Sequence, residues 1–377
     1  EPLCLDVISA LHGHRPDIKV VGGRYGLSSK EFSPAMVKAV YDHIADPDCR
    51  DTFTVGIEDD VTHLSLAVGA PFDPDTHHDT HQAIFYGIGN DGSVGGTRQV
   101  ASILGDTAGL YGQAYFSYSA KKSGGFTISQ LRVSERPVTS AYSIRDAGYV
   151  GCHKATYVRR FSMLDNIREG GTFVINCPWN DEALVRNIPL EMRKTISAKK
   201  IRLYVIDADA IAAKVGLAPR INMPMETVFL YLSGIIPFAT AYPALQDTIR
   251  ATYAHEGNEV VERNLKAISM ATGALREVDY AAIKGWDSEP EVPVTYLDIF
   301  RNDAQRRFIE TIHRPCIKGK GDSIPVSAFT PDGTMPMGST AFEHRRIATI
   351  VPVWDADRCV ECTECSLVCP HAAIRPF

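Results

Sequence analysis

The sequence has no apolar run that approaches a membrane span, no basic arm or stripe, and nothing that resembles a secretory signal. Its formal charge of −6 is spread along the chain, so no nucleic acid or membrane is expected as a partner. Outside one cluster the cysteines are scattered singly, which argues against disulfides and favours a reducing compartment, the cytoplasm. These single cysteines are Cys4, Cys49, Cys152, Cys177 and Cys316.

The remaining cysteines are regularly spaced near the carboxyl end. Cys359, Cys362, Cys365 and Cys369, followed by Pro370, form the pattern C-x-x-C-x-x-C-x-x-x-C-P. Bacterial ferredoxins hold a 4Fe–4S cluster with this spacing, because a two-residue gap lets one tight loop bring three sulfurs to a cubane. Zinc sites usually show two separated C-x-x-C pairs, so the pattern favours the iron–sulfur cluster as the metal site.

A second copy of this motif is missing. In two-cluster ferredoxins the fourth cysteine, here Cys369, serves the other cubane, and the first cubane takes its last ligand from the second copy. We therefore expect the chain to be a piece of a larger electron-transfer enzyme, cut inside its ferredoxin-like module.

Strands alternate with helices from about Gln82 to about Gly273. This alternation predicts an α/β fold with a doubly wound, mainly parallel sheet, whose ligands gather at the carboxyl ends of the strands. Before it, Ser33 and Pro34 predict a helix start. The predicted strands are 52–57, 83–89, 113–118, 126–133, 172–176 and 202–207, and the predicted helices are 34–44, 95–104, 181–196, 208–215, 226–235, 244–255 and 260–271.

A glycine-rich turn, 87–97, follows the first strand of this region. Its backbone N–H groups and the dipole of the next helix favour a phosphate, although a tight turn that needs positive φ explains the glycines equally well. Gly87, Gly89 and Gly92 match G-x-G-x-x-G, but no acidic residue ends the next strand to hold a ribose. Lys121 and Lys122 follow that strand and would add positive charge at the same edge, unless they are an ordinary solvated pair.

Other motifs are weaker. The pair His77 and His81 has metal-ligand spacing, but a surface loop is favoured over a metal site. Cys152 and His153 are adjacent on a strand and so point to opposite faces, which favours a buried thiol and an independent histidine. Asn222 caps a helix or reaches a ligand, with capping as the default.

Thiamine diphosphate is not expected on this chain alone. Residues 90–93 are faintly similar to the start of a thiamine motif, but the Asn pair that would complete Mg²⁺ coordination is absent from residues 117–123.

Several longer runs of residues together resemble the central part of the pyruvate:ferredoxin (flavodoxin) oxidoreductase family. They are Gly22–Phe32, Phe53–Thr62, Phe85–Gly95, Lys121–Gly125 and Pro370–Ile374. The resemblance covers nearly the whole chain. It implies a large enzyme that uses thiamine diphosphate, Mg²⁺, coenzyme A and 4Fe–4S clusters to convert pyruvate to acetyl-CoA and CO₂.

The resemblance also implies partners and an order of parts. The partners are the rest of the same polypeptide, ferredoxin or flavodoxin as electron acceptor, and a second copy of the full-length enzyme in a homodimer. Residues 1–66 would end a preceding α/β domain, 67–275 would form the coenzyme A-associated γ domain, 276–345 a small connecting segment, and 346–377 the start of the ferredoxin-like domain. The connecting segment is known by a Glu-Lys-Arg signature, which here reads Glu343-His344-Arg345.

The resemblance finally implies roles for the anion site. Gly92, Ser93, Lys121 and Lys122 would hold phosphate oxygens of coenzyme A, and Asn222 would hydrogen-bond the same ligand. No catalytic residue is expected in this chain, because the thiamine site lies elsewhere. Two alternatives stay open: a fragment of another 2-oxoacid:acceptor oxidoreductase, 2-oxoglutarate-specific or NADP-linked, and a purely structural or electron-transfer scaffold.

Overall fold

The computed structural model describes residues 2–26, 30–74, 79–89, 91–119, 125–288, 300–343, 352–370 and 372–375. It divides into two compact units, Glu1–His344 and Arg345–Phe377. None of the helices in these described ranges is long and apolar enough to cross a lipid bilayer. The four-part domain division stays a prediction.

The amino-terminal part of the larger unit contains a small sheet and two helices. In chain order these elements are α1 (Pro2–His12), β1 (Gly22–Arg24), α2 (Pro34–Ala45), β2 (Thr52–Val55) and β3 (Ser65–Leu66). The strands pair in parallel in the order β1-β2-β3. Ser33 caps α2, because its Oγ accepts a hydrogen bond from the Met36 amide at 3.4 Å. The predicted helix start is confirmed.

The rest of the larger unit is built on a seven-stranded sheet. Its strands are β4 (His81–Ile88), β5 (Tyr111–Tyr118), β6 (Phe126–Ser134), β7 (Ala147–Cys152), β8 (Ile167–Asn176), β9 (Arg202–Ile206) and β10 (Arg276–Glu277). They lie in the order β10-β9-β8-β7-β4-β6-β5. The four neighbours β9, β8, β7 and β4 run parallel and form the centre of the sheet.

The outer strands of this sheet are antiparallel. β10 pairs antiparallel with β9, and β6 pairs antiparallel with both β4 and β5. A parallel connection needs a crossover of roughly a dozen residues or more. Residues 119–125 between β5 and β6 are too few, so these strands form a hairpin. As a result β5 runs parallel to β4, with β6 between them.

Helices cover both faces of the sheet, which confirms the predicted doubly wound α/β class. They are α3 (Ser93–Ala108), α4 (Asp181–Asn187), α5 (Leu190–Ala198), α6 (Ala208–Val215), α7 (Asn222–Ser233), α8 (Phe238–Tyr253) and α9 (Asn258–Ala274). One face packs against α3 and α6 to α9 around Leu104 and Phe229. The other packs against α4, α5 and residues 155–167 around Tyr157 and Phe173.

The predicted element list differs from the structure in several places, two of which concern whole elements around the sheet. The helix predicted over 181–196 is broken at Pro189 into α4 and α5, because proline restricts the residue before it and interrupts the helical hydrogen bonds. The strand β7 is absent from the predicted strands. Its two glycines, Gly148 and Gly151, weaken the sequence signal for a strand, yet most of β7 is buried at the centre of the sheet.

Arg193 holds the segment after β10 against α5. Its side chain is fully buried, and it donates hydrogen bonds to the carbonyl oxygens of Gly285 at 2.9 Å and Ser288 at 3.0 Å. Its guanidinium also lies 5.8 Å from the centre of the buried Trp286 ring. Residues 276–288 therefore form part of the layer that covers this face of the sheet.

The remaining helices are short. They are α10 (Asp303–Phe308), a π-helical turn (Ile309–His313) and α11 (Arg314–Ile317) in the larger unit, and α12 (Glu364–Leu367) in the smaller unit. In the larger unit, residues near 325 contact the amino-terminal sheet region, where the Val326 amide donates to the Glu58 carbonyl at 2.9 Å and the Ser327 amide to Asp60 at 2.9 Å.

Candidate functional site

The turn between β4 and α3 lies at the carboxyl edge of the parallel strands. Asp91 closes it, because its Oδ2 accepts a hydrogen bond from the Ile88 amide at 2.7 Å and its Oδ1 accepts one from the Ser93 amide at 2.9 Å. Gly92, the N-cap of α3, has φ +86°. Glycine adopts this left-handed conformation without the steric penalty of a Cβ, so the turn favours glycine at this position.

Ser93 points inward from this turn. It is 3% exposed, and its Oγ lies 2.5 Å from Nδ1 of His153, the residue that follows β7. Burial lowers the pKa of His153, against the opposing effect of the Asp91 carboxylate. The imidazole is therefore neutral at pH 7. It contacts the start of α3 on its buried side.

Asn222 also lies beneath the turn. A Cβ placed on Gly92 would lie 2.7 Å from Asn222 Oδ1, so α7 and the turn are in close contact. Asn222 Nδ2 donates to Glu226 Oε1 at 3.2 Å, and the Asn222 side chain opposes the effect of burial on the pKa of the nearby Tyr253 hydroxyl. The residue is 8% exposed. Its polar atoms are thus engaged from below the turn.

The expectation that Asn222 caps a helix is wrong. The helix α7 begins at Asn222 itself, four residues before the predicted start, and its N-cap is Ile221. The Ile221 amide donates to the Asp91 carbonyl at 3.3 Å, which fixes the start of α7 beside the turn. A side chain one residue inside the helix is free to reach Glu226, one turn further along.

Glu226 is the acidic group of this cluster. It is fully enclosed, and burial raises its pKa to about 8, with the Asn222 hydrogen bond as a smaller opposing effect. Its Oε2 is buried and has no hydrogen-bond partner among the residues that the structure describes. On α3, Gly96 faces this carboxyl so closely that a Cβ there would overlap Glu226 Oε1. Glu226 is therefore a neutral acid at pH 7, packed against α3.

The loop that carries the two lysines begins and ends beside the turn. Gly87 of β4 and Tyr118 of β5 both pair with Thr127 of β6, so the ends of β4 and β5 share one edge of the sheet. The Gly89 amide donates to the Gly125 carbonyl at 3.3 Å. The predicted anion-site residues Lys121 and Lys122 lie outside the described residues, but the chain on both sides of them is held at this edge.

A larger cleft, of about 960 Å³, lies elsewhere, between α2 and β5. Its cations are Lys30, Lys38 and Arg132. Arg132 already donates to Gln113 Oε1 at 3.0 Å and to the Tyr142 carbonyl at 2.7 Å. Lys30 pairs with Asp322 at 2.6 Å, and Lys38 pairs with Asp42 at 2.5 Å. The cleft does not include the turn at Gly92 or the residues below it. Size alone therefore does not make it the better candidate for an anion.

The four clustered cysteines lie in the smaller unit as free thiols. Cys359, Cys362 and Cys365 are exposed, and Cys369 is partly buried. Among the described residues no three Cys, His, Asp or Glu side chains converge on a metal position. The donor set nevertheless fits an iron–sulfur cluster, because thiolates are its usual ligands.

The backbone around these cysteines has two further features. Glu361 and Thr363, on either side of Cys362, have φ near +58° and +59°, which curls the loop tightly. The Ala373 amide donates to Cys369 Sγ at 3.3 Å. Such amide-to-sulfur bonds are one of the ways in which proteins tune cluster potentials.

The structure tests some of the other motifs that the sequence suggested. Cys152 Sγ contacts the Lys154 carbonyl at 3.1 Å, and burial raises the Cys152 pKa, which confirms a buried thiol separate from His153. His81 begins β4, whereas His77 lies outside the described residues, as does His344 of the connecting segment.

Three residues of the site were missed at the sequence level: Asp91, Gly96 and Glu226. Asp91 had a local signal, since an Asp before Gly in a strand-to-helix turn commonly accepts backbone N–H bonds. Glu226 had a weaker one, because it is the single charge in the apolar stretch 221–232 and stands four residues after Asn222.

Comparison with known protein families gives three matches along the chain. A model described as pyruvate ferredoxin/flavodoxin oxidoreductase matches residues 82–274, a domain of unknown function matches 299–348, and a 4Fe–4S binding domain matches 351–374. The first match covers half of the chain. The chain belongs to the pyruvate ferredoxin/flavodoxin oxidoreductase family. This confirms the resemblance and the iron–sulfur character of the smaller unit.

Relatives of this oxidoreductase family match along the whole chain. Pyruvate:ferredoxin oxidoreductase of Moorella thermoacetica is 43% identical and probable pyruvate-flavodoxin oxidoreductase of Escherichia coli is 41% identical, and the chain covers 32% of each. Mitochondrial pyruvate dehydrogenase [NADP(+)] of Euglena gracilis is 41% identical, with 21% of it covered. The chain thus spans a third or less of the length of these relatives.

A substitution at Gly96 tests the contact between α3 and α7. Glycine-to-alanine changes inside helices usually stabilise by about 0.5–1 kcal/mol. We expect Gly96→Ala to destabilise instead, by about 1–3 kcal/mol, because the new methyl overlaps Glu226. Gly95→Ala is the matched control, since nothing lies within 4 Å of its Cβ position. Urea unfolding measures the change in the free energy of unfolding for both variants. Changes of the same sign in Gly96→Ala and Gly95→Ala would contradict the described packing.

Removing the acid at position 226 should change how stability depends on pH. Native Glu226 keeps its proton up to about pH 8, whereas the unfolded side chain loses it near 4.5. Between these values the native state binds more protons, so this group's contribution to stability falls as pH rises. The free energy of unfolding of the wild type, relative to that of Glu226→Gln, should therefore fall by about 1.4 kcal/mol per pH unit from about pH 5 to pH 7.5.

The measurement is urea unfolding at a series of pH values. Glu262→Gln, which changes an exposed glutamate on α9, should follow the wild-type pH curve. A constant difference between the wild type and Glu226→Gln across this pH range would show that Glu226 is not a buried neutral acid.

Proposed function

We propose that this chain is the central part of a thiamine diphosphate-dependent pyruvate:ferredoxin or flavodoxin oxidoreductase. The complete enzyme would convert pyruvate and coenzyme A to acetyl-CoA and CO₂ and pass the electrons to ferredoxin or flavodoxin through 4Fe–4S clusters. In this proposal the larger unit holds coenzyme A and the smaller unit belongs to the electron path. Membership of the family and the 4Fe–4S domain match support it.

The placement of the lysine loop carries the coenzyme A part of the proposal. The hydrogen bond from Gly89 to Gly125 and the shared register at Thr127 hold the described chain on either side of the lysine pair at the edge where α3 begins. The Ser93 amide is taken by Asp91, so the amides of Val94 and Gly95 in the first turn of α3 are those that would face a phosphate. Lys121 and Lys122 would add positive charge for the pyrophosphate or 3′-phosphate.

Gly92 has one role in this site, and Ser93 and Asn222 have another. Gly92 gives the turn its shape and lets α3 begin at the edge of the sheet. Ser93 and Asn222 hold that shape from below through His153 and Glu226. A direct hydrogen bond from Ser93 or Asn222 to the ligand stays a prediction.

Cysteines of the smaller unit would hold the cluster. Cys359, Cys362 and Cys365 would ligate one 4Fe–4S group, and Cys369 would serve a neighbouring one. Such a cluster supplies reversible one-electron transfer. The chain's own contribution is to fix the sulfurs and to donate amide hydrogen bonds such as that from Ala373 to Cys369 Sγ.

The remaining parts of the proposal concern the missing polypeptide. Thiamine diphosphate and Mg²⁺ would bind to the rest of the chain, and the full-length enzyme would be a cytoplasmic homodimer. An NADP-linked or other 2-oxoacid enzyme is the runner-up, because the Euglena relative, named for NADP(+), is as similar as the Escherichia coli one.

Calorimetry of coenzyme A against the chain tests the γ-domain site. We expect binding at neutral pH, competition by 3′-phospho-AMP, and an affinity about tenfold or more weaker in Lys121→Ala/Lys122→Ala, because charge-assisted phosphate contacts are lost. Lys200→Ala is the control, since this exposed lysine precedes β9 at the opposite edge of the sheet. The absence of both a heat of binding and competition by 3′-phospho-AMP would contradict the proposal.

Anaerobic reconstitution with iron and sulfide of a polypeptide lengthened through the companion cysteine motif tests the cluster. This longer chain should turn brown and give a paramagnetic signal on reduction, and Cys365→Ala should lower its iron content because a cluster ligand is missing. Cys316→Ala, which removes an exposed thiol outside the motif, should behave as the wild type. Colourless protein that retains zinc would contradict the assignment.

A further inference from the structure

A pocket of about 220 Å³ lies at the amino-terminal edge of the parallel strands, and we call it the amino-edge pocket. It lies where β4 and β9 begin, at His81 and Arg202, and the carboxyl end of α7 borders it at Leu232. The turn before α3 follows the opposite end of β4, about 20 Å away at roughly 3.3 Å per residue. The pocket is therefore separate from the proposed coenzyme A site.

The charged side chains that line the amino-edge pocket are both arginines. They are Arg168 and Arg202, and none of the described residues that line the pocket is acidic. Arg202 donates to the neutral Thr172 Oγ1 at 2.7 Å and forms no ion pair within the described part of the chain. Arg168 pairs with Asp146 at 3.0 Å, and both of these side chains are partly exposed. Arg202 is thus a guanidinium without a counter-ion in the described ranges.

The register of the sheet fixes the position of Arg202. Ala83, Tyr149, Thr172 and Arg202 are direct neighbours on β4, β7, β8 and β9, and all four line the pocket. Residues directly opposite one another in a sheet point to the same face, so these side chains form one row. The row changes from apolar side chains on β4 and β7 to a hydroxyl on β8 and a guanidinium on β9.

A bulge in β8 brings Arg168 to the same pocket. Where the register of β7 with β8 shifts, only Gly148 stands opposite residues 168–171. Bulges commonly redirect side chains next to binding sites. The charge of Arg168 acts on the pocket, because it lowers the pKa of His81 in addition to the larger effect of burial and against the opposite effect of Asp79. His81 is therefore neutral at pH 7, and the arginines supply the positive charge.

The other part of the pocket is apolar. It consists of Leu131, Val133, Phe229, Leu232 and Ile235. A ligand with one anionic end and a short apolar body matches both parts, whereas inorganic phosphate would leave the apolar side chains in contact with water. A volume of about 220 Å³ corresponds to about seven water molecules of roughly 30 Å³ each, so the body is limited to a few carbon atoms.

We infer that the amino-edge pocket binds a small organic carboxylate, with Arg168 and Arg202 on its oxygens and its carbon chain against Phe229 and Leu232. A guanidinium group suits this ligand, because its parallel N–H groups match the two oxygens of a carboxylate. Thr172 keeps the Arg202 guanidinium at the pocket. The inference depends on neither coenzyme A nor the iron–sulfur cluster.

NMR titration of the chain with 3-methylbutanoate tests this inference. We expect it to bind at least about tenfold more tightly than 3-methylbutanamide or inorganic phosphate, because it alone combines a charge with an apolar body. Arg202→Gln should weaken binding about tenfold, and Arg168→Gln about threefold, because Arg168 already shares its charge with Asp146. Arg250→Gln is the control, since this exposed arginine pairs with Asp247 on α8, and it should bind as the wild type does.

A second variant separates loss of binding from a change of fold. Arg202→Lys keeps the charge but loses the two parallel donors, so it should weaken binding less than Arg202→Gln does. Both variants should keep the melting temperature of the wild type within about 3 °C, because Arg202 is exposed.

Four outcomes would overturn the inference. They are no binding of 3-methylbutanoate by the wild type, equal binding by the wild type, Arg202→Gln and Arg168→Gln, binding of the amide or of phosphate as tight as that of the carboxylate, and displacement of the carboxylate by saturating coenzyme A. The first three would leave the coenzyme A proposal intact, because its own test uses Lys121→Ala/Lys122→Ala at the opposite edge of the sheet.

Discussion

The close contact between α7 and the start of α3 is the constraint on which the candidate site depends. Two glycines permit it: Gly92 lets the turn pass over Asn222, and Gly96 leaves room for Glu226. The Ile221 amide then bonds to the Asp91 carbonyl and fixes the two helix starts together. Because these contacts are made by buried side chains, the geometry of the turn follows from the packing below it.

The order of strands explains why the turn before α3 and the two ends of the β5–β6 connection lie at one edge of the sheet. The parallel centre of the sheet directs β4 and β7 toward the same edge, which brings His153 beneath Ser93. The β5–β6 hairpin then returns residues 119 and 125 to the end of β4. The start of α3 and a buried layer that contains the neutral His153 and Glu226 therefore meet at this edge.

Local chemistry was predictable from the sequence, and long-range pairing was not. The cysteine spacing, the helix start at Ser33 and the alternation of strands and helices are short-range patterns, and all of them led to the correct family and fold. His153, the partner of Ser93, lies 60 residues away in the sequence. Glu226, the partner of Asn222, lies four residues away in a helix whose start was predicted wrongly. Glu226 gave only a weak signal, as the single charge of an apolar stretch, and β7 was missed because its glycines mask a buried strand.

A crystal structure of the chain, or of the longer polypeptide, with coenzyme A bound is the most direct measurement of the central claim. The account predicts phosphate oxygens at the first turn of α3, with Lys121 or Lys122 in contact with them and Asn222 still bonded to Glu226. Coenzyme A bound elsewhere, for example in the cleft between α2 and β5, with no phosphate near Gly92, would contradict the account.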